Sequence, residues 1–228
     1  MGPELSQHLA PPASTPEMSK LKPRCRLYLQ VAAPFLAKKT AQLSQALSEL
    51  GPACVLISGN NEPLETGILD SLIDRIQGAG AACLIENSIE ASVELGADGV
   101  HIAADKSLYS EARNVLGESA NIGVACGLVR HDAMELAELG ADYVAFTSSG
   151  SQDAAAEFDA LSETIAWWSE IFVVPCVAWD IAEVARAAAL TELGVDFIAP
   201  PSTIWEREDA LTFLRDMDRT IGSIRREA

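Results

Sequence analysis

The stretch that decides the fold is Glu94-Leu95-Gly96-Ala97-Asp98-Gly99-Val100-His101-Ile102, ELGADGVHI. Glu94 and Leu95 read as the end of a helix, and Gly96 stands where a helix C-terminus favours a left-handed residue. Val100, His101 and Ile102 then begin a short apolar run of the kind that forms a buried strand. The phrase returns as ELGADYVAF over Glu138–Phe146 and, more loosely, as ELGVDFIAP over Glu192–Pro200. Three copies of one helix-to-strand joint predict a repeating α/β architecture.

Working outward from the joints, the same alternation fills the chain. Strands are expected at Arg26–Val31, Ala53–Ile57, Ala82–Ile85, Val100–Ile102, Asn121–Ala125, Tyr143–Phe146, Phe172–Val177 and Phe197–Ala199. The first helix, 37–50, carries Leu43, Leu47 and Leu50 on one face. The second carries Leu69, Leu72, Ile73 and Ile76 and closes near Gly78. A short helix runs through Ile89, Val93 and Leu95, and two more cover 107–116 and 132–139. After a polar loop at 147–155, a sixth uses Leu161, Ile165 and Trp168; a seventh is striped by Ile181, Val184, Ala185 and Ala188; the last uses Leu211, Leu214, Met217 and Ile221. Continuous apolar strands alternating with helices are what a parallel sheet covered on both faces requires. Eight such units predict a closed (β/α)8 TIM barrel, short for its class. An open doubly wound sheet normally has fewer strands, and no GxGxxG or GxxxxGK[ST] follows any strand to support one.

Bulk properties agree with one large-cored domain: 228 residues, 49% of them hydrophobic. The barrel is expected to occupy residues 25–228. Residues 1–24, rich in Pro, Ser and Ala, read as a disordered tail without the basic start and apolar middle of a secretory signal. No apolar run approaches the roughly 18 residues a membrane helix needs. The five cysteines, Cys25, Cys54, Cys83, Cys126 and Cys176, lie far apart with no CxxC, which points to reduced, buried thiols in a cytoplasmic protein. Cys126 is the best candidate for the alternative, a catalytic thiol. A net charge of −17 repels polyanions, so nucleic acid is not an expected partner, and basic residues cluster only near the chain ends. A small-molecule ligand is expected instead. The adjacent Trp167 and Trp168 put at least one ring near the outer surface, a feature that fits a homodimer contact.

In a barrel, the N-terminal strand ends read as stability and the C-terminal ends as chemistry. Asp98, Asp142 and Asp196 of the joints fall at N-terminal ends and are expected to be structural. The C-terminal ends carry Gln30; Ser58-Gly59-Asn60; Glu86-Asn87-Ser88; Ala103-Ala104-Asp105-Lys106; Cys126-Gly127; Thr147-Ser148-Ser149-Gly150; Trp179-Asp180; and Pro200-Pro201-Ser202-Thr203. His101 lies inside the fourth strand and reads as a satisfied barrel residue, and His131 as a surface residue on a first helical turn.

Taken in order, LYL, VLI, LIENSIEASVELGADGVHI, IGVA, ELGADYVAF, VPCVAWDI and DFIAPPSTI resemble the thiamine-phosphate synthase family, whose frame the thiazole tautomerases share. The resemblance covers about residues 26 to 215. It implies an eight-stranded α/β barrel and a transferase of thiamine biosynthesis. That reaction joins hydroxymethylpyrimidine diphosphate to thiazole phosphate, and the departing pyrophosphate is held by Mg²⁺. The family's QLREK, which brings Arg and Lys to the diphosphate, falls on Leu56-Ile57-Ser58-Gly59-Asn60. Its Asn-Asp for pyrimidine and metal falls on Glu86-Asn87, and its GQ[ED]D on Ala103-Ala104-Asp105-Lys106, which leaves Asp105 as the metal candidate. The serine after strand five is Ala125 or Cys126, depending on a one-residue gap. The PTxTK loop falls on Ser151-Gln152-Asp153-Ala154-Ala155, and the phosphate-cradling Gly-Gly on Trp179-Asp180. Ser202 alone matches outright. The tautomerase histidine position falls on Leu128.

The scaffold therefore reads through while the ligand positions have changed. The expectation is a synthase-like barrel in which most diphosphate-, metal- and phosphate-binding residues are replaced and synthase activity is weak or absent. The alternatives are an active synthase, or a different small-molecule enzyme on the same barrel. Asn60, Glu86, Asn87, Cys126, Ser148, Asp180 and Ser202 are the substrate-binding candidates, no catalytic residue is assigned, and Mg²⁺ is implied only if synthase activity is retained. Glu86 and Lys106, if they face each other at the barrel mouth, predict an ion pair there.

Overall fold

Each joint turns the chain by the same hydrogen bonds. In the computed structural model, which describes residues 23–59, 66–148 and 153–224, Gly96, Gly140 and Gly194 take φ of 63°, 101° and 102°. The next residue's N–H then reaches back five residues. Ala97 donates to the Ser92 carbonyl at 3.0 Å, Ala141 to Leu136 at 3.0 Å and Val195 to Leu190 at 3.2 Å. This closes otherwise unpaired helix-end carbonyls, and the left-handed φ favours glycine at each turn.

These turns connect eight strands and eight helices. The strands are β1 Arg26–Ala32, β2 Cys54–Ser58, β3 Ala82–Glu86, β4 Gly99–Ala103, β5 Asn121–Gly127, β6 Tyr143–Phe146, β7 Cys176–Trp179 and β8 Phe197–Ala199. Between and after them come α1 Ala33–Leu50, α2 Thr66–Gly78, α3 Ile89–Glu94, α4 Lys106–Leu116, α5 Arg130–Glu138, α6 Ala154–Ile171, α7 Val184–Glu192 and α8 Ala210–Ser223. A 3-10 turn, Ser202–Glu206, precedes α8. All strand pairs are parallel, and β1 pairs with both β2 and β8, so the sheet closes in the order β1 to β8. The expected TIM barrel is the observed fold. The expected tail lies outside the described residues except for Pro23 and Arg24, and candidate Asn60 lies outside them too.

The joint aspartates bind the bottom of the barrel together. Asp98 donates its N–H to the Cys83 carbonyl at 2.8 Å and accepts the Cys83 N–H on Oδ2 at 2.7 Å. Asp142 makes the same ring with Ile122, at 3.0 and 2.8 Å, and Asp196 with Cys176, at 3.2 and 3.0 Å. In each case the residue entering an even strand clamps the odd strand before it. The structural role expected of these acids is the one they have.

Two expectations are corrected. The seventh strand was expected over Phe172–Val177 but runs over Cys176–Trp179. Pro175 has no N–H for the ladder, and the apolar residues ahead of it serve the helix layer. Phe172 stacks on Trp168 with centroids 4.0 Å apart, Trp168 Nε1 donates to the Val174 carbonyl at 2.7 Å, and Val173 is 99% exposed. On α7 the buried residues are Ala187, Leu190 and Thr191. Ile181 is buried ahead of that helix, in a link fixed by its N–H to the Ala199 carbonyl at 3.0 Å.

The core has two layers. Outward-facing strand residues such as Val55, Ile57, Val100, Ile122, Val124 and Val144 pack under the helices. Inward-facing Tyr28, Cys54, Leu56, Leu84, Tyr143, Ala145, Val177 and Ala199 fill the barrel. Tyr143 lies against Gly123, where a Cβ would come within 1.8 Å of its ring, so only glycine lets it lie there. None of the five cysteines forms a disulfide, and all five are buried, as expected. Trp168 is buried, while Trp167 is partly buried with the Arg130 guanidinium 4.8 Å above its ring.

A candidate ligand site at the C-terminal mouth of the barrel

The C-terminal strand ends enclose a cavity of about 180 Å³ lined by Glu86, Asn87, His101, Ile102, Ala103, Ala125, Ala145, Thr147 and Trp179. The inward positions of β4, β5 and β6 end in alanines, which leaves the space open on that side. Trp179, at the end of β7, closes the other. A second cavity of about 240 Å³ opens at the N-terminal end around Tyr28, Cys54, Leu84, Tyr143 and Phe197. Its acid, Asp142, is already engaged by the Ile122 N–H and by Arg113 at 2.7 Å. The C-terminal face is where barrels carry their chemistry.

His101 is the deepest polar group of the mouth. It is 4% exposed and stacks on Trp179 at 4.5 Å with 8° between the planes, and on Tyr143 at 5.7 Å and 6°. Its Nδ1 lies 2.9 Å from Tyr143 Oη, and Tyr143 Oη lies 2.7 Å from Tyr28 Oη. Among the described residues nothing bonds Nε2, which is also not one of the sealed polar atoms without a partner. His101 is one of the walls of the cavity. Burial pushes the imidazole pKa down to about 4, so the ring is neutral at pH 7.

Two carboxylates stand above it. Glu86 pairs in register with His101 across β3 and β4, and its pKa is raised, first by burial and then by the charge of Asp180. The pKa of Asp180 is raised by burial, against which the Gln30 amide, donating to Oδ1 at 3.2 Å, works in the other direction. Gln30 also donates to the Pro200 carbonyl at 3.1 Å, and Trp205 Nε1 fixes the Gln30 carbonyl at 2.8 Å. Among the described residues no hydrogen bond or ion pair reaches the Glu86 side chain. Asn87 and Asp180 both sit in the left-handed region, at φ 52° and 60°. These are strained positions for residues with a Cβ, and they aim the chain ends around the mouth.

The sequence candidates divide accordingly. Glu86, Asn87 and Asp180 come together at the mouth. Ser148 follows Thr147, whose hydroxyl donates to the Ser148 carbonyl at 3.4 Å, and Ser202 begins the 3-10 turn after β8. Cys126 faces the helix layer, away from the cavity. The register of β5 shifts between Ala125 and Gly127, so Ala125 lines the cavity while Cys126 is 3% exposed among outward residues. Burial and Asp132 raise its thiol pKa to about 12, unsuited to a nucleophile. The expected Glu86–Lys106 ion pair does not form: Lys106 Nζ binds Glu135 at 2.6 Å on the neighbouring helix. Asp105 caps α4, with Oδ1 accepting the Leu108 N–H at 2.8 Å. Among the described residues no three His, Cys, Asp or Glu side chains gather to hold a metal. Trp179 was placed at the mouth from the sequence, whereas His101 was expected inside the barrel and not as a cavity wall. The signal was there in the inward parity of β4, in which Gly99, His101 and Ala103 alternate with outward Val100 and Ile102.

With this geometry in place, the comparisons with known proteins give the frame its lineage. The family model for thiamine monophosphate synthase matches residues 37–204. A thiamine-phosphate synthase of Erythrobacter litoralis (strain HTCC2594) is 39% identical over 131 residues, covering 56% of this chain and 62% of that protein. One of Rhodospirillum centenum (strain ATCC 51521 / SW) is 34% identical over 187 residues, covering 79% of this chain and 89% of that protein. Among solved structures, the thiamine phosphate pyrophosphorylase from Pyrococcus furiosus superposes with a TM-score of 0.70 at 20% identity. It covers 86% of this chain and 95% of that one, a likeness of fold. By a match that runs from the first helix to the turn after the last strand, the chain belongs to the thiamine monophosphate synthase family.

Proposed function

We propose that this chain is a small-molecule-binding member of the family with weak or absent synthase activity. The observation that carries the proposal is the pair Glu86 and Asp180 at the mouth, raised in pKa and without a cation among the described residues. A diphosphate needs positive charge, and each charge-assisted contact is worth about 1.5–3 kcal/mol. Among the described residues, three cations at the helix starts on that side are engaged elsewhere: Lys106 with Glu135, Arg130 with Glu163 and Arg186 with Glu183. The loop sequences NNEPLE at 60–65 and SGSQ at 149–152 add no Lys or Arg. Trp179 and Asp180 replace the two glycines of the family's phosphate cradle, adding bulk and negative charge where a phosphate would enter. The residues do not assemble a metal site either: Asp105, where the resemblance places a metal ligand, is turned to its own helix, and among the described residues no three His, Cys, Asp or Glu side chains gather to hold an ion. No step is assigned to the metal.

The test is a synthase assay with hydroxymethylpyrimidine diphosphate, thiazole phosphate and Mg²⁺, run beside thermal melting with each compound. The expected result is background turnover and an unchanged melting temperature. Mg²⁺-dependent turnover that disappears in Glu86→Ala would overturn the proposal.

A further inference from the structure

We infer that the second cavity, at the N-terminal end of the barrel, is a binding site for one small uncharged ring. Barrel interiors are normally filled by stacked layers of side chains. Here the lowest layer is incomplete. The lowest inward positions of β3 and β4 are Ala82 and Gly99. Tyr143 lies against Gly123, with its hydroxyl reaching His101 at 2.9 Å. The space left below is the cavity of about 240 Å³.

Its size selects one ring. An apolar cavity of roughly 150 Å³ stays dry and takes up benzene, while sites for drug-sized ligands run from about 300 to 1,000 Å³. The cavity is also distinct from the mouth, since the two share no wall residue. Between them stand Tyr28 and Tyr143, whose hydroxyls lie 2.7 Å apart, and His101, which stacks on Tyr143.

The walls decide the charge. Leu84, Pro175 and Phe197 present carbon, and Tyr28 and Tyr143 set two further rings at 63° to each other, so a third ring has aromatic partners. Asp142 is the one charged residue among the described walls. Its Oδ2 is already held by Arg113 at 2.7 Å and by the Ile122 N–H at 2.8 Å. A carboxylate in the cavity would lose its hydration and meet Asp142. An ammonium would lose its hydration and find that acid already paired. An uncharged ring carries neither cost and supplies the dispersion contacts that an empty space denies the walls.

Alanine methyl groups line both cavities and tell them apart: Ala53 and Ala82 below, Ala103, Ala125 and Ala145 at the mouth. The experiment titrates the full chain, labelled at its alanine methyls, with toluene, benzylamine and benzoate at pH 7 and follows it by NMR. These are one ring with a neutral, a cationic and an anionic substituent. Toluene is expected to move the Ala53 and Ala82 signals saturably through its ring current, and to bind there at least tenfold more tightly than either charged ring. In Ala82→Phe, which fills the space with a ring of its own, the toluene affinity read at Ala53 is expected to fall at least tenfold. Unmoved Ala53 and Ala82 signals under toluene would overturn the inference, whether or not the mouth alanines respond. A charged ring that binds there as tightly as toluene, or undiminished binding in the variant, would do the same. Movement of both sets of alanines would support it, with a ring at each end. The series on the wild-type chain needs no variant to fold, and its outcome is independent of synthase turnover.

Discussion

Asp180 has a φ of 60°, a backbone conformation natural to glycine, at a position where the resemblance to the family places one of two glycines. A left-handed conformation costs a residue with a Cβ roughly 1–2 kcal/mol, less for Asp and Asn, whose short polar side chains ease it. Asp180→Gly removes that strain and the carboxylate's burial, and loses one hydrogen bond from Gln30 at 3.2 Å. The net expectation is a gain of about 0.5–1 kcal/mol, a rise of roughly 1–4 °C in melting temperature for a chain of this size. Differential scanning calorimetry of the single variant checks it. A lower melting temperature would show that the Gln30 bridge outweighs the strain. The sequence named Asp180 as a candidate because of where it falls after strand seven, but its strained φ and its opposition to Glu86 depend on how distant strands meet.

At the scale of the elements, the repeated joint was legible because its parts are local. The glycine sits three residues or fewer from the helix end it closes, and the aspartate two residues further on. What the clamp grips was not legible, because Cys83, Ile122 and Cys176 lie 15 to 20 residues earlier in the chain. Strand seven misled for a related reason. Phe172, Val173 and Val174 are as apolar as a strand, and only the closed barrel shows that Trp168 and the proline keep them out of the ladder. The three clamps are not equal, since Asp142 Oδ2 also accepts from Arg113 at 2.7 Å, and that guanidinium in turn holds the Gly117, Ala120 and Gly140 carbonyls. Asp142→Ala leaves the Ile122 N–H without its partner and frees Arg113, for an expected loss of about 2–3 kcal/mol. Asp98→Ala loses only the Cys83 bond, about 1–2 kcal/mol. Urea unfolding of the two variants measures the difference, and equal losses would remove the special role given to Arg113.

Across the whole molecule, the barrel followed from counting alternations, whereas the interior of its mouth depended on closure. His101 was expected to be a satisfied barrel residue, whereas among the described residues only its Nδ1 is bonded; its stacking between Tyr143 and Trp179 joins β4, β6 and β7, which only the closed sheet brings together. That arrangement makes the stability of the entire fold depend on pH. The folded imidazole titrates near pH 4, against an ordinary value of 6.5, so in between the unfolded chain binds a proton that the folded chain refuses. Stability from this group is complete above pH 6.5 and falls as the pH is lowered toward 4. Each unit is worth about 1.4 kcal/mol, so about 2 kcal/mol should be lost between pH 6.5 and pH 5. Glu86 and Asp180 act in the opposite sense, because their folded pKa values are raised and their protonation favours the folded state at the acid end. Comparing the wild-type chain with His101→Asn isolates the histidine, since both carry the same carboxylates. Chemical unfolding from pH 7 to pH 5 should show a steeper loss for the wild type, by about 2 kcal/mol over the interval. Parallel curves for the two proteins would mean that the ring takes up its proton without leaving the stack, and that the mouth is more polar than its burial implies.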